Sequence, residues 1–524
     1  MIELTAAPLT LSDLRAVARE RVPVKVATAI RQRLHGAREA VLRAAASGQS
    51  VYGLTSALGA NTGRTLGAGA DAALVEYQLN AIRARSVGIG AAFPTDAVRA
   101  MLFARVAGMR MGGSGISPHV FMTLVEMLNA GVHPVVPSIG TISVGDLAPL
   151  SSLALPVIGE GRAEYQDEIL PGADAMRAAG IDLPALGPKD GLSLISSNAA
   201  TIGVAALCLV DVAEALDALD LSAALECEGF RSNVSPLDPR MQRARPAPGQ
   251  AEAAERLTKL LEGSALWQPG AARRVQDPLS FRCLAQVHGS ARHAWNEACR
   301  QVELELNSAA DSPLVLDDGD VRSNGNFHIP ALGIAFEALG LALAQCASLC
   351  VERSLKMLSP AMSDLPLHLT KHGPTHSGYA TVQKTNTSLY NRIRHLANPA
   401  CLDFLPVSER IEDHATMVMN VVAKTNAMLE PLFALAAIDA LIGAQAVDLR
   451  EPVNGVAVRE TLGAGAKRLY REIREQVPPL DKDRPPGPDI ETVMAVLRAL
   501  VVPEAAGTKW LPCDEERASP LPGE

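Results

Sequence analysis

The stretch Pro137-Ser138-Ile139-Gly140-Thr141-Ile142-Ser143-Val144-Gly145-Asp146-Leu147-Ala148-Pro149 decides how this chain is read. At its centre Ser143 stands between Ile142 and Val144, two β-branched residues that are stiff at χ1 and crowd the backbone on either side. The rest of the 524 residues frame that serine in an apolar, weakly aromatic protein. Apolar residues make up 48%, charged residues 20% and aromatics 3%, so alanine and leucine carry the core and closely packed helices are expected.

A chain of this length exceeds what one compact core usually serves. We expect an N-terminal region over 1–200 bearing the active-site loops, a long-helix bundle over 201–477 that forms the oligomerisation core, and a C-terminal extension over 478–524 with a polar, Pro-rich tail. The net charge of −9 gives no electrostatic reason to bind nucleic acid or an anionic membrane, and neither partner is expected. The N-terminus, Met-Ile-Glu-Leu-Thr, lacks the basic and apolar run of a secretory signal. The most apolar run, residues 331–351, carries Glu337 and ends in Glu352-Arg353, which suits a helix buried in a bundle better than a membrane span. A cytoplasmic protein is the expectation. Eight scattered cysteines without a CxxC pair read as buried thiols.

Periodicity predicts helices over 72–87, 95–111, 119–128, 199–225, 285–306, 333–358, 382–396 and 411–449. The last is apolar on nearly every face, as a helix covered by neighbours or by another subunit would be. His368, His372 and His376 are spaced four apart, but Gly373-Pro374 breaks any helix that would align them, so no metal site is expected.

Several blocks flank the central stretch in order. They are Tyr52-Gly53-Leu-Thr-Ser-Ala-Leu-Gly59, Leu128-Asn-Ala-Gly-Val-His-Pro-Val-Val-Pro137, Gln276-Asp277-Pro278-Leu279-Ser280-Phe281-Arg282-Cys283 and Leu306-Asn307-Ser-Ala-Ala-Asp311-Ser-Pro313. Asn324-Gly-Asn326-Phe327-His328, Leu396-Ala-Asn-Pro399 and Ile411-Glu412-Asp413-His414 follow. Together they resemble the aromatic amino acid lyases, the family of histidine and phenylalanine ammonia-lyases, over roughly residues 50–420. The resemblance implies a mainly α, histidine ammonia-lyase-like fold with a long central helical bundle. It also implies a homotetramer with shared active sites and a small-molecule substrate.

Carried over position by position, the resemblance makes Tyr52 the catalytic base. Free tyrosine ionises near pH ~10, so such a base needs surroundings that favour the phenolate. Arg282 matches the arginine that grips the substrate carboxylate, a role suited to its planar fork. Asn326 and Phe327 match pocket-lining positions, and Glu412 an acid near the substrate's amine or ring. Taken alone, Tyr52 reads as an ordinary loop tyrosine, Arg282 as half of a structural ion pair, and Glu412 as a helix-start carboxylate.

The departures carry more information. Family members build methylidene-imidazolone (MIO), their electrophile, from Ala-Ser-Gly: the amide after the serine attacks the carbonyl before it, and water is lost. Here the segment is one residue shorter and reads Ile142-Ser143-Val144, with Val144 where glycine lets the backbone bend. Aligned back from Asp146 through Gly145, Val144 takes the serine's own place. Cyclisation is not expected, and no cofactor is. Ser196-Ser197-Asn198 stands where the family has Asn-Gly-Thr, so an asparagine that polarises the cofactor is expected to be lost. Ala84-Arg85 replaces the pair that reads the substrate ring, Leu279 a common second tyrosine. Gln383-Lys384-Thr385-Asn386 adds a lysine, read here as lying on the inner face of a mostly apolar helix, or else on a solvated face.

A lysine, a retained tyrosine and an altered MIO triplet resemble the ergothionase branch, which eliminates trimethylamine from ergothioneine and yields thiourocanate. A quaternary ammonium is already a leaving group and has no lone pair with which to attack MIO. Such an enzyme still needs a base (Tyr52), an anchor (Arg282), and groups that hold the ring, for which Lys384 and Glu412 are the candidates. Arg85, Ser196 and Asn198 complete the expected substrate contacts, and Tyr379, Tyr390 and Phe327 are candidate aromatic walls for the cation. The alternatives are a MIO-dependent ammonia-lyase with an unusual precursor, and an inactive family member that binds a ligand.

Overall fold

A computed structural model describes residues 1–47, 50–58, 71–452 and 455–501. Gly59 of the tyrosine block and the polar tail (512–524) lie outside the described residues. Contacts divide the chain into two compact units that do not follow chain order. The first comprises Met1–Val210, Ala298–Glu337 and Pro399–Ala423; the second comprises Asp211–Glu297, Ala338–Asn398 and the chain from Lys424.

Helices dominate both units. In the first, α1 (Asp71–Arg85), α2 (Thr95–Met109) and α3 (Pro118–Ala130) precede the central stretch. Proline at the start of α3 gives up an N–H that would have no helical partner. Gly131 ends the helix at φ 79°, where a side chain would be strained. Two strands, β1 (Ile89–Ala92) and β2 (Pro137–Ile139), pair antiparallel with Ile89 opposite Ile139 and Ala92 opposite Pro137. The stretch therefore enters from a paired strand and leaves into α4 (Leu147–Ala154), whose residues are nearly all buried. Its irregular centre is held between two regular elements.

The short α5 (Asp190–Ile195) follows. Asp190 accepts from the Ser117 amide (2.8 Å), the Ser117 hydroxyl (2.6 Å) and the Gly187 amide (2.7 Å), and pairs with Arg38 at 3.2 Å. These bonds satisfy a fully buried carboxylate and fix the start of α5.

The long helices α6 (Ala199–Phe230), α7 (Leu284–Leu306), α8 (Pro330–Met357) and α10 (Val418–Leu449) each contribute residues to both units, while α9 (Val382–Leu396) lies in the second. Among the described residues three segments, Asp190–Phe230, Pro330–Met357 and Val418–Leu449, are long and apolar enough to cross a membrane. Yet 72%, 61% and 83% of their most apolar windows are buried within the protein. Glu337, the charge that interrupts the run in α8, is 7% exposed and accepts the amides of Ala400 (2.6 Å) and Cys401 (3.0 Å). A carboxylate so bonded can sit inside an apolar helix.

The core of the second unit is locked by charge as well as by apolar packing. Arg353 of α8, fully buried, lies between Glu226 of α6 (3.2 Å) and Asp439 of α10 (2.5 Å), and Ser354 donates to Asp439 at 3.1 Å. Burial, followed by the nearby Asp439, pushes the Glu226 carboxyl well above its ordinary range. A second cluster joins Asp217 and Asp220 to Arg292 and Arg256, with His288 Nδ1 2.7 Å from Asp220.

One expectation is corrected here. The last long helix begins at Val418, not 411, and Met417 directly before it has positive φ (50°), which interrupts a right-handed helix. Arg353, at the end of the apolar run, is one of the most buried side chains among the described residues.

Candidate functional site

The loop carrying Tyr52 is a tight knot. The Val51 carbonyl accepts from the amides of Leu54, Thr55 and Ser56 at 3.0–3.1 Å, and the Gly53 amide donates to Ser56 O at 2.9 Å. Gly53 has φ +65°, and a Cβ there would lie 2.4 Å from Leu192 Cδ2. No other residue fits that turn without displacing Leu192. Gln78 of α1 ties the loop to α5: its amide donates to Gly53 O at 3.3 Å, and its carbonyl accepts the Leu192 amide at 2.9 Å. The half-buried Tyr52 is thus carried on a turn fixed from two sides.

Tyr77, one residue before Gln78, has its phenol pushed up by burial, against the Leu58 amide and the Arg85 charge, which favour its ionised form; the Tyr52 phenol adds to the upward push. Tyr77, Arg85 and Tyr52 therefore lie within electrostatic reach of one another's neighbourhood. Tyr77 was not anticipated from the sequence.

The altered stretch is anchored at every residue. Ser143 is fully buried at φ 56°, its amide donating to Thr141 Oγ1 at 2.9 Å. The Met419 amide donates to Ser143 Oγ at 2.8 Å, and Thr416 Oγ1 donates to Ser143 O at 3.1 Å. The Ile142 carbonyl accepts the Met417 amide at 3.2 Å. Val144 pairs as an isolated antiparallel bridge with His328. The Gly145 amide donates to Asn198 Oδ1 at 2.9 Å, and the Asn198 amide donates to Phe327 O.

Asp146, fully buried at φ 29°, accepts from Thr141 Oγ1 (2.8 Å), the Thr201 amide (2.6 Å) and Thr201 Oγ1 (2.8 Å). Burial pushes its carboxyl up to about 6, with the Thr201 and Thr141 bonds acting against that rise.

Asn326 and Phe327 sit in a turn in which the Asn326 amide donates to Asn324 Oδ1 at 2.8 Å and Asn324 Nδ2 to Asp311 O at 2.8 Å. Asp311 in turn pairs with the buried Arg105 at 2.6 Å. His328 Nε2 lies 2.8 Å from His414 Nδ1, with ring centroids 4.9 Å apart. Glu412 bridges Val407 through the backbone and accepts the Ser408 hydroxyl at 2.9 Å.

Within the first unit the fold therefore gathers Ser143, Val144, Gly145, Asn198, Phe327 and the segment from Glu412 to Met419. Ser196 ends α5, its amide bonded to Leu192 O at 2.9 Å, and Asn198 rather than Ser196 reaches the loop. Asn198, two residues past the position where the family has its asparagine, contacts the altered stretch. Thr141, Thr201, Thr416 and His414 were not singled out as site residues, because their roles depend on partners distant in sequence.

Arg282 and Lys384 belong to the second unit. Arg282 ends a single helical turn, Leu279–Arg282, anchored by Phe281 stacked on Phe230 with centroids 4.1 Å apart. Lys384 lies in the first turn of α9 and is exposed. The buried face of that helix is Val382, Asn386 and Ile393, and the helix is largely polar. The expectation of an inner-face lysine on an apolar helix is corrected accordingly: the buried stripe steps by four and then seven residues and leaves Lys384 outside it. Tyr379 is fully buried. Among the described residues no group of three or more His, Cys, Asp or Glu could hold a metal ion.

A helical protein that presents a tyrosine on a rigid turn in the same unit as a bonded Ser-Val-Gly-Asp loop, an asparagine and an acid-bearing segment has the parts of a C–N lyase. The aromatic amino acid lyase family matches residues 9–475, and this chain belongs to it. It is 35% identical over 487 residues to a protein named histidine ammonia-lyase 2 from Fusobacterium nucleatum, covering 92% of this chain and 93% of that one. It is 36% identical to a histidine ammonia-lyase from Gloeobacter violaceus, covering 94% and 95%. Among solved structures it resembles ergothionase from Treponema denticola in complex with desmethyl-ergothioneine sulfonic acid, with TM-score 0.90 and 32% identity over 95% of this chain and 98% of that one. Histidine ammonia-lyase from Trypanosoma cruzi gives TM-score 0.84 at 29% identity, covering 96% of both. The fold is that of the histidine ammonia-lyases, and the chain is a carbon–nitrogen lyase by family.

Proposed function

We propose that this lyase works without MIO and eliminates trimethylamine from ergothioneine, giving thiourocanate. One observation carries the reading. Ser143, the residue that would supply MIO's methylidene carbon, has its hydroxyl buried and bonded to Met419 and Thr201, while the Ile142 carbonyl that would be attacked is bonded to Met417. Val144 adds a branched side chain at the attacking amide. The residues present do not fit the cofactor.

The reaction then rests on side chains. Tyr52 takes the β-proton, that C–H electron pair forms the double bond, and the C–N bond breaks with its electrons leaving on neutral trimethylamine. Arg282 holds the carboxylate, and Lys384 and Glu412 hold the thio-imidazole in the tautomer that acidifies the β-carbon. Asn326, Phe327, Arg85, Ser196 and Asn198 shape the pocket. The enzyme acts as a cytoplasmic homotetramer with active sites shared between subunits, which gives the exposed Lys384 a place to work. The likeness to the Treponema denticola ergothionase supports the substrate.

A second reading, MIO-dependent deamination of histidine, is favoured by relatives named histidine ammonia-lyase. Incubation of the purified protein with ergothioneine and, separately, with histidine separates the two by absorbance of the conjugated product. Product from ergothioneine alone is expected; product from histidine alone would reverse the assignment, and none from either would favour an inactive ligand-binding member. Lys384→Met is expected to reduce ergothioneine turnover at least a hundredfold. Wild-type turnover by that variant would remove Lys384 from the mechanism.

A further inference from the structure

We infer that Ser143 is a positioning residue that caps α10 from outside and holds the Glu412 segment in place. The inference rests on the MIO-free reading and gives the retained serine a different use. Helix α10 starts at Val418, and Met417 before it has φ 50°. The Met417 carbonyl already accepts from the amides of Asn420 and Val421, which leaves the amides of Met417 and Met419 pointing out of the helix start. The altered loop satisfies both: Met417 donates to Ile142 O at 3.2 Å and Met419 to Ser143 Oγ at 2.8 Å. Thr416, just upstream, adds its hydroxyl to Ser143 O at 3.1 Å. A side-chain oxygen on the second amide of a helix is what an N-cap serine supplies from the same chain segment. Here it is supplied from a loop more than 270 residues earlier.

The proton positions follow from the partners. Thr201 Oγ1 gives its hydrogen to Asp146 Oδ1 at 2.8 Å, so in the 3.2 Å contact between Ser143 and Thr201 the serine is the donor. A single chain of donors results: Met419 N–H to Ser143, Ser143 to Thr201, Thr201 to the buried Asp146 carboxylate. Each bond polarises the next. Both functions of the Ser143 hydroxyl are thereby committed, one to the helix start and one to Asp146. The segment it secures begins four residues after Glu412, so a shift of the helix start moves that carboxylate.

The test combines exchange and kinetics. In Ser143→Ala, amide hydrogen exchange at Met417–Val421 is expected to rise about tenfold, with restoration in Ser143→Thr, which keeps the hydroxyl. For ergothioneine, kcat is expected to fall about tenfold with KM within about twofold. In a Glu412→Gln background the same substitution should cost less than about twofold, because a residue acting through Glu412 loses its effect when that acid is gone. A purely structural role would multiply through instead. Unchanged exchange in Ser143→Ala, or fully multiplicative kinetic losses, would overturn the inference and leave the MIO-free reading standing. A wild-type protein already short of the Ser143 hydroxyl by mass would overturn both. If Ser143→Ala does not fold, Ser143→Cys, which replaces the hydroxyl with a weakly accepting thiol of similar shape, carries the same expectations.

Discussion

Tyr52→Phe is expected to lower kcat for ergothioneine elimination by 10²–10⁴-fold, to be read from thiourocanate absorbance and trimethylamine release, with KM little changed. The substitution removes one oxygen and leaves the ring, so the packing of the ring is preserved. The turn that carries the residue is independent of the hydroxyl: it is set by Gly53 at φ +65°, by the bonds to Val51 O and by Gln78. An unfolded or mislocated loop therefore cannot account for the loss, and a far-ultraviolet spectrum matching wild type is part of the expected result. Retention of more than a tenth of the rate would mean that another group takes the β-proton. Tyr77, a second phenol whose titration feels both Arg85 and Tyr52, would be the first residue to examine.

The largest effect on stability is expected at Arg353. It is fully buried between Glu226 and Asp439, joining α6, α8 and α10. Arg353→Ala would leave two carboxyls in the interior with one fewer cation and a cavity the size of the side chain. Removing one partner of a buried ion pair costs about 3–5 kcal/mol, because the charge left behind is neither solvated nor paired. Glu226 already leans toward its protonated form, so part of the cost is met by taking up a proton, and the penalty should shrink as pH is lowered. Urea unfolding at two pH values checks both statements. As a contrast, Arg471→Ala removes an exposed pair with Glu472 (3.4 Å) and should change stability by less than about 1 kcal/mol. Equal effects at the two arginines would contradict the assignment of Arg353 as a core element.

The sequence exposes the fold well because long apolar helices have a strong periodic signature and the family's blocks occur in order. The helix over 382–396 and the break at Gly373-Pro374 are both legible that way. What escapes is what depends on tertiary partners. The start of α10 is set behind a left-handed residue, Met417, that no apolar pattern encodes. Lys384 was placed on the inner side of α9 although the buried stripe of that helix is narrow and polar around its rim. Arg353 looked like the end of a buried run, because charge alone does not reveal that Glu226 and Asp439 wait across the bundle. The same holds for the site. Val144 in place of glycine is visible as a departure, but the destination of the Ser143 hydroxyl is not. Thr201 and Met419 lie 58 and 276 residues away, and neither carries a recognisable motif.

The central claim is that Ile142-Ser143-Val144 remains an ordinary peptide. Mass spectrometry of the proteolytic peptide spanning these residues, taken from catalytically active protein, tests it most directly. The account predicts the full mass encoded by the sequence, with fragment ions placing an intact serine at 143. A peptide lighter by two waters at this triplet would contradict it.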